Sequence, residues 1–391
     1  MERAEFTELT LLMPCLDEAE TLAGCIEQGR RALDELGVAG EIVVADNGST
    51  DGSPAIAERT GARIVHVPER GYGAALLGGI AAARGRYVVM ADADASYDFR
   101  EIGPFLERLR DGADLVMGCR LPSGGGKILT GAMPFLHRWL GNPGLSWLGR
   151  VLFGCPVTDF HCGMRGFSRE ALLGLDVRTT GMEFASEMVI KATFRGLRIV
   201  NVPITLHPDG RTRPPHLRTF RDGWRHLRFM LLHSPKGLFL VPGTAALGTG
   251  ALGFAVLLPG PLRIGGVGLD ANTLLVCAFL ILTGFQWISF GMSARLYATQ
   301  HGLIPPDDSS WIQTHLSLER GIVIGGFVGL AGLCLLVYAV YAWSTFGFGP
   351  FPAAIGLRLV IPAVTAMALG AQIVLSSFFI SMLRLKLRGL Q

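Results

Sequence analysis

The sequence predicts an α/β domain with a mostly parallel sheet, followed by an amphipathic interfacial helix and four transmembrane helices. Two observations lead to this fold class. Short strand-like runs alternate with helical patterns in the first part of the chain, and long uncharged stretches dominate the rest. The charges divide in the same way, since 28 of the 35 Lys and Arg and 28 of the 32 Asp and Glu lie in residues 1–236. We expect an α/β domain at 1–215, an interfacial helix at 216–236 and a membrane domain at 237–391.

Composition excludes several classes of protein. The 391 residues are 50% hydrophobic and only 17% charged, which is too apolar for an ordinary soluble or disordered chain. The net charge of +3 is small, so we expect no nucleic-acid partner. Seven cysteines without a CxxC pair argue against a disulfide framework or a zinc site and favour reduced thiols. The N-terminus has no basic region before an apolar run, so we expect the first domain to stay on the cytoplasmic side.

Four uncharged stretches predict transmembrane helices at 237–262, 271–294, 321–343 and 359–383. Each exceeds the roughly 20 residues that span a bilayer, and each lacks the polar face that a helix buried in a soluble core would show. The basic residues that flank them divide unequally. Arg263 and Arg358 lie on one side, and the other side holds Lys236, Arg295, Arg320, Arg384, Lys386 and Arg388. The positive-inside rule therefore predicts that both termini are cytoplasmic.

An amphipathic helix is predicted just before the first span. Its apolar positions recur at helical spacing at Leu217, Phe220, Trp224, Leu227 and Leu231. Next to them runs a basic stripe of Arg218, Arg221, Arg225 and Arg228. Such a helix either packs on the domain or lies at the membrane surface, and the span that follows favours the membrane surface.

Five strands are predicted in the first domain, at Leu9–Met13, Glu41–Ala45, Arg63–Val67, Tyr87–Met90 and Asp114–Gly118. Ligands of parallel sheets bind beyond the carboxyl ends of the strands. Acidic clusters follow the first, second and fourth strands. They are Asp17 and Glu18, then Asp46, Asn47 and Asp51, and then Asp92 and Asp94.

Each acidic cluster alone is explained by a helix cap or a turn. Together at one sheet edge, however, the carboxylates would repel each other unless a cation or hydrogen-bond donors offset them. This pattern favours a metal-bound, hydroxyl-rich ligand such as a nucleotide sugar. The run Gly71–Ala75 lacks the third glycine of a dinucleotide fingerprint and does not follow the first strand, so it predicts a tight start of a helix that packs closely on the sheet.

With these motifs, the chain resembles family 2 glycosyltransferases of the GT-A fold, of the dolichol-phosphate mannose synthase and polyprenyl-phosphate glycosyltransferase type. The resemblance covers roughly residues 8–215. The segments that carry it are Pro14–Glu18, Asp46–Gly52, Gly71–Ala75, Asp92–Asp94, Gly118–Arg120, Asp159–Arg165, Glu187 and Val202–Ile204. Leu16 and Asp17 stand where the family usually has Tyr-Asn, and Asn47 replaces the second Asp, which leaves the identity of the donor sugar open.

The resemblance implies a metal-dependent, inverting hexosyltransferase. It would move one hexose from UDP- or GDP-hexose to polyprenyl phosphate, either dolichyl or undecaprenyl, at the cytoplasmic face of the membrane. The chain has no QxxRW sequence, which implies a single transfer per acceptor. A different lipid acceptor is the nearest alternative, and a transporter or flippase with a nucleotide-binding head is another.

The residue types fit these roles. Asp92 and Asp94 can bring a carboxylate and a turn to one Mg²⁺ or Mn²⁺, with Asp94 as the direct ligand, and the metal would neutralise the leaving diphosphate. The resemblance assigns the nucleotide sugar to Pro14, Asp17, Glu18, Asp46, Asn47, Asp51 and Asp92.

Four residues are candidate catalytic residues, namely Asp94, Asp159, Glu187 and Arg165. Asp159 and Glu187 could orient the sugar or stabilise positive charge at the anomeric carbon, and Arg165 could pair with one of them. Because guanidinium groups match phosphate oxygens, the candidates for the acceptor phosphate are Arg120, Arg211 and Arg213. Glycines in the membrane half, among them Gly325 and Gly370, could allow close helix contacts in a homo-oligomer.

Overall fold

The structure is a computed structural model that describes residues 7–212, 219–300, 304, 317–350 and 352–385. It divides into two compact units, Met1–Leu232 and His233–Gln391. Several residues of the sequence argument lie outside the described residues. They are Arg213, Leu217, Arg218, Lys386 and Arg388.

The first unit is built on a seven-stranded sheet of order β3-β2-β1-β4-β7-β5-β8. Its strands are β1 (Leu9–Cys15), β2 (Gly40–Asp46), β3 (Arg63–His66), β4 (Tyr87–Met90), β5 (Leu115–Cys119), β7 (Arg165–Ser168) and β8 (Ile199–Pro203). Strand β7 is antiparallel to both of its neighbours, β4 and β5, and the other pairs are parallel. Two short strands, β6 (Lys127–Ile128) and β9 (Thr205–Leu206), pair separately. The expected mostly parallel α/β sheet is confirmed.

Helices cover both faces of this sheet, so the central strands are apolar on both sides. The helices of the unit are α1 (Leu22–Leu36), α2 (Ser53–Arg59), α3 (Tyr72–Ala82), α4 (Gly103–Arg110), α5 (Asn142–Phe153), α6 (Arg169–Gly174), α7 (Phe184–Phe194) and α8 (Thr219–Leu232). One core lies under α1 and α4, around Leu11 and Phe105. The other lies under α3, α5 and α7, around Leu12, Phe160 and Phe184.

Helix α8 packs on the first unit through one of its faces. Met230 and His226 are buried, and Arg225 pairs with Glu183 at the start of α7. The opposite face keeps Trp224 exposed, together with Arg228. The helix therefore has a domain-facing side, as the packed alternative requires, and leaves part of the predicted apolar face uncovered.

The second unit consists mainly of long apolar helices. They are α9 (Val241–Leu257), α10 (Ala271–Gln300), α11 (Leu318–Ser344) and α12 (Ala353–Leu383). In the described part of the chain, four helical segments are long and apolar enough to cross a membrane, as expected. A hairpin of β10 (Leu262–Ile264) and β11 (Val267–Leu269) joins α9 to α10. Close helix contacts are made at glycines, since a Cβ on Gly325 would lie 2.6 Å from the carbonyl oxygen of Gly370.

Candidate active site

The three acidic clusters lie along one edge of the sheet. Strand β1 lies between β2 and β4, and Cys15 is in register with Asp46, while Leu12 is in register with Met90. The segments that follow these strands therefore leave the sheet side by side. Pro14, the residue before the last one of β1, is in register with Ala45 of β2.

Asp92 and Asp94 follow β4. The hydroxyl of Tyr72, the first residue of α3, donates to Asp92 Oδ1 at 2.9 Å. Asp94 is buried, and its Oδ1 accepts from the backbone N–H and the hydroxyl of Ser96, at 3.0 and 2.5 Å. Burial and the charge of Asp94 raise the pKa of Asp92 to about 7. Two close carboxylates of this kind favour a cation or a donor-rich ligand beside them.

A cation from the chain itself contacts Asp94 of this pair. Arg211 Nη2 lies 2.9 Å from Asp94 Oδ2, and Arg211 Nη1 lies 3.2 Å from Glu18 Oε1. Asp209 accepts from the same guanidinium at 3.0 Å. Burial would lower the pKa of Arg211, but the charge of Asp94 and the hydrogen bond to Asp209 raise it on balance. The structure thus places Arg211 on the acidic cluster.

These carboxylates fit a divalent cation only in part. Among the described residues, no group of three or more His, Cys, Asp or Glu side chains is arranged to hold a metal ion. Asp92 and Asp94 offer hard oxygen ligands of the type that Mg²⁺ and Mn²⁺ prefer, but one oxygen of Asp94 already contacts Arg211. A cation here would therefore need further oxygens, such as those of a diphosphate and water.

The first two acidic loops hold each other in place. Asp17 Oδ1 accepts from the Thr50 N–H at 2.7 Å, and Asp51 Oδ2 accepts from the Ala19 N–H at 2.8 Å. Asp17 adopts φ 58°, a strained value for a residue with a side chain. Asp46 Oδ1 accepts from the Ser49 N–H at 3.1 Å within its own loop. The carboxylates that are predicted to bind the nucleoside thus also order the loops after β1 and β2.

Asn47 orders a third loop. Its Nδ2 donates to the carbonyl oxygens of Val67 and Glu69, at 3.0 and 2.6 Å, and its Oδ1 accepts from the Gly71 N–H at 2.8 Å. An Asp side chain could not donate to those two carbonyls. The amide that departs from the family pattern therefore fits this chain's own loop after β3.

Asp159 forms a buried ion pair with Arg120. Arg120 Nε donates to Asp159 Oδ2 at 2.7 Å, and Nη2 donates to Oδ1 at 2.8 Å. Burial would lower the pKa of Arg120, but the charge of Asp159 raises it well above its usual value. The hydroxyl of Tyr97 accepts from the Gly163 N–H at 2.9 Å beside this pair. Arg120 and Arg211 thus have different carboxylate partners.

Arg165 was expected to pair with Asp159 or Glu187, and this expectation is wrong. Its fully buried guanidinium donates to backbone carbonyls, those of Cys162 at 2.8 Å and Ala185 at 2.6 Å among them. Asp159 is paired with Arg120, and burial lowers the pKa of Arg165. Arg165 is the first residue of β7, inside the sheet. Its side chain therefore links the preceding loop to α7 through hydrogen bonds.

Glu187 lies in α7 and supports a loop. It accepts from the Thr179 N–H at 2.8 Å and from the Thr179 hydroxyl at 2.7 Å, and Lys191 Nζ lies 2.6 Å away. Burial would raise the pKa of Glu187, but these partners lower it on balance. The catalytic role of Glu187 stays a prediction, and its contacts favour a structural one.

The loop that Glu187 supports explains the glycines at the start of α3. A Cβ on Gly71 would lie 2.1 Å from the Thr180 carbonyl oxygen, and a Cβ on Gly73 would lie 2.4 Å from that of Thr179. Gly79 packs on the sheet in the expected way, since a Cβ there would lie 2.3 Å from Leu12 Cδ1. Sequence reasoning missed Tyr72 as a partner of Asp92, although the position of Tyr72 inside this glycine motif was a usable signal.

Comparison with known proteins gives matches to both halves of the chain. The profile "Glycosyl transferase family 2" matches residues 10–174, and "Glycosyltransferase family 2 C-terminal transmembrane region" matches residues 292–384. The low-salt glycan biosynthesis hexosyltransferase Agl6 of Haloferax volcanii is 39% identical over 376 residues, which cover 96% of this chain and 89% of Agl6.

Two further matches each cover somewhat more than half of the chain. The dolichyl-phosphate hexose transferase of Haloferax volcanii is 32% identical over 205 residues, or 52% of this chain and 85% of that protein. The solved structure of Mycobacterium tuberculosis glucosyl-3-phosphoglycerate synthase with Mn²⁺ and UDP-glucose is 27% identical. It covers 58% of this chain and 78% of that one, with a TM-score of 0.45.

Proposed function

The chain belongs to glycosyltransferase family 2, and we propose that it is an inverting, metal-dependent hexosyltransferase acting on a lipid phosphate. It would transfer one hexose from UDP- or GDP-hexose to a dolichyl or undecaprenyl phosphate at the cytoplasmic face of the membrane. The observation that carries this proposal is the cluster of Glu18, Asp92, Asp94 and Arg211 at the carboxyl edge of the sheet. That the protein is a membrane glycosyltransferase already follows from its family and its C-terminal transmembrane region.

The donor side of the proposal rests on the loops after β1 and β2. The contacts between Asp17 and Thr50 and between Asp51 and Ala19 give these loops a fixed shape before any ligand binds. Ordered, acidic loops suit ribose hydroxyls and a base N–H, which donate hydrogen bonds to carboxylates. Glu18 and Asp46, next to these contacts, are the residues that would receive them.

The diphosphate side rests on Asp92 and Asp94. A bound Mg²⁺ or Mn²⁺ would act there as a Lewis acid that neutralises the leaving nucleoside diphosphate. Tyr72 fixes the orientation of Asp92, and Ser96 fixes that of Asp94. Arg211, already on Asp94, is close enough to the cluster to exchange its carboxylate partner for a phosphate oxygen.

The acceptor phosphate has to be positioned by the protein, but it does not need a strong general base. A phosphate monoester is mostly dianionic at neutral pH, so one of its oxygens can attack the anomeric carbon directly. The bond from that carbon to the diphosphate oxygen breaks as the new bond forms, which inverts the anomeric centre. Arg120 stays a candidate for the acceptor phosphate, although it would have to share its guanidinium with Asp159. The name of the dolichyl-phosphate hexose transferase relative supports a lipid phosphate as acceptor.

The proposed location of the reaction rests on the charge distribution of the membrane half. The excess of basic residues beside one set of helix ends favours cytoplasmic termini. Arg358, one of the two arginines on the other side, pairs with Asp270. The catalytic unit, the N-terminus and the C-terminus would then share the cytoplasmic side.

The test is transfer by the purified full chain in detergent. We would add polyprenyl phosphate, Mg²⁺ or Mn²⁺ and a panel of UDP- and GDP-hexoses, and weigh the lipid products by mass spectrometry. We expect one hexose on the lipid phosphate, with an inverted anomeric centre by NMR, and loss of the product with EDTA. Asp94→Asn should abolish transfer, whereas Asp98→Asn, four residues along the same segment and paired with Arg100, should not. Transfer that survives Asp94→Asn, or a retained configuration, would overturn the metal role or the inversion.

A further inference from the structure

A polar side chain is exposed on a membrane helix of the second unit. Gln286 of α10 comes 16 positions after Asp270 and nine before Arg295, or about 24 and 14 Å along the helix. Because the hydrocarbon core of a bilayer is about 30 Å thick, Gln286 lies well inside it when α10 spans the membrane. Gln286 is exposed, and its amide has no hydrogen-bond partner among the residues that the structure describes. An unpaired amide is costly in hydrocarbon, so Gln286 indicates a contact that the described residues do not supply.

The helices of the same unit do not cover Gln286. Helix α9 packs on another side of α10, where a Cβ on Gly284 would lie 2.5 Å from the backbone nitrogen of Leu247. Gln286 comes two positions later, about 200° around the helix, and therefore points away from α9. Helix α12 also packs on α10 but leaves Gln286 exposed. Its glutamine, Gln372, has a buried Oε1 that also lacks a hydrogen-bond partner in the described part of the chain, so the two amides do not satisfy each other.

Gln286 belongs to a row of exposed side chains. We call the row of Phe279, Gln286, Phe290 and Tyr297 the α10 outer face. The intervals of seven, four and seven residues confine the four side chains to about 40° of the helix surface. The same intervals separate the contacting positions of a heptad repeat, in which two parallel helices pack along one seam. The α10 outer face therefore has the spacing needed to pack along a second helix.

The chemistry of the amide indicates which helix packs there. A glutamine side chain both donates and accepts hydrogen bonds, so it is complementary to a second copy of itself. Two copies of one chain have the same orientation in a membrane, and a twofold axis that relates them runs along the membrane normal. Residues beside this axis meet their own counterparts at the same depth. A charged residue would repel its counterpart there, whereas two glutamines can exchange two hydrogen bonds.

We propose that the α10 outer face is the interface of a parallel homodimer, in which the Gln286 amides of the two copies hydrogen-bond to each other. Each amide N–H donates to the side-chain oxygen of the other copy, which satisfies both groups. Phe279 and Phe290 pack against the second copy on either side of this pair and exclude lipid from it. A single polar pair in an apolar seam fixes the register and the number of helices. This inference does not depend on which hexose or which lipid acceptor the protein uses.

The first test is disulfide cross-linking of the full chain in liposomes. Cys334 is the exposed native cysteine and the other six are buried, so Cys334→Ser provides the background for single cysteines. Phe290→Cys places a thiol on the α10 outer face, five positions before Arg295. The matched control is Phe327→Cys in α11, an exposed phenylalanine seven positions after Arg320 and thus at a similar depth. With copper phenanthroline at a high lipid-to-protein ratio, we expect about fivefold more covalent dimer from Phe290→Cys than from Phe327→Cys.

Equal yields from the two cysteines would overturn the proposal. The second test measures the dissociation constant of the dimer in liposomes by energy transfer between donor and acceptor dyes on Leu36→Cys, an exposed position, in the same background. Gln286→Leu should weaken the dimer about tenfold, because two hydrogen bonds are lost, whereas Gln372→Leu should leave it unchanged. Energy transfer no higher than that of randomly mixed monomers, or an unchanged dissociation constant in Gln286→Leu, would contradict the proposed interface. Equal weakening by Gln372→Leu would also contradict it, because Gln286 would then act within its own bundle of helices.

Discussion

Arg211 lies against Asp94, with Nη2 2.9 Å from Oδ2, so a cation of the chain occupies one oxygen of the carboxylate that is proposed to hold the metal. The same guanidinium contacts Glu18 from the loop after β1. Arg211 therefore links two of the three acidic segments. When a nucleotide sugar binds together with a metal ion, Arg211 must either leave Asp94 or share it with that ion.

Arg211→Met removes this competing charge, so Mn²⁺ alone should bind about tenfold more tightly, because one nearby positive charge no longer repels it. Turnover should fall by about 100-fold, since a positive group beside the diphosphate is lost. Mn²⁺ titration followed by electron paramagnetic resonance measures the first effect, and the mass-spectrometric transfer reaction measures the second. Arg100→Gln, an arginine paired outside the cluster, should change neither. Weaker Mn²⁺ binding in Arg211→Met would mean that the arginine supports the metal.

Glu187→Gln distinguishes a structural role from a catalytic one. The ion pair with Lys191 is lost, while the amide oxygen can still accept from Thr179, so we expect Tm to fall by roughly 2–8 °C. The transfer rate at saturating substrate should stay within about threefold, because a group that only positions a loop removes no transition-state contact. Glu170→Gln, an exposed acid at the start of α6, serves as the control. A large loss of rate at an unchanged Tm would restore Glu187 to the catalytic residues.

Asn47→Asp tests the amide that departs from the family pattern. The new carboxylate cannot donate to the carbonyls of Val67 and Glu69, and it repels them. The loop from Val67 to Gly71 should loosen, and the KM for the donor should rise about tenfold as its pocket loses rigidity. Asn201→Asp is a matched control, since Asn201 also bridges two backbone groups, Pro156 and Thr158. It should lower Tm without changing the donor KM, and equal KM values in both variants would contradict the role of Asn47.

Asp159→Asn tests the buried ion pair. The variant leaves the Arg120 guanidinium buried without a counter-charge, which costs about 3–5 kcal/mol. The full chain in detergent should therefore lose roughly 6–20 °C in Tm by differential scanning fluorimetry. Glu27→Gln breaks the exposed pair with Arg31 and should change Tm by no more than about 2 °C. A small effect of Asp159→Asn would mean that water or ligand reaches Arg120.

Acid should destabilise the first unit through His161. Burial and the nearby charges of His226, Arg165 and Arg120 hold the pKa of His161 well below 6.5. The folded state then binds fewer protons than the unfolded chain below pH 6.5, so stability falls as the pH decreases. We expect Tm to fall between pH 7 and pH 5, and His161→Gln to make this fall shallower, whereas His207→Gln should not. An unchanged pH dependence in His161→Gln would assign the fall to other groups.

The sequence predicted the acidic edge well, because side chains that follow parallel strands must meet there. That Asp17, Asp46 and Asp92 lie at the same end of the sheet could be predicted from the order of strands and acidic clusters alone. The partners of Arg165 could not be predicted. They depend on β7, four residues that begin with an arginine and insert antiparallel into the sheet, and nothing in the local pattern indicates such a strand.

An exposed apolar surface on the outer side of α5 was missed for a different reason. It is formed by Phe135, Leu136, Trp139, Leu140, Trp147 and Val151. Pro143 and Gly144 interrupt its apolar spacing, so periodicity alone gives a weak signal between Phe135 and Val151. The signal that could have been used is the run from Leu121 to Thr158, which contains no Asp or Glu. Local charge bias therefore carried information about the surface that hydrophobic periodicity did not.

The insertion of β7 between β4 and β5 also means that β4 is synthesised on the ribosome well before the strand that pairs with it. Seventy-four residues separate Met90 at the end of β4 from Arg165 at the start of β7. At a synthesis rate of about 5–20 residues per second, some 4–15 s pass before β7 exists and can pair with β4. During that interval the growing chain carries an unpaired apolar strand edge, a place where mispairing or a chaperone can act.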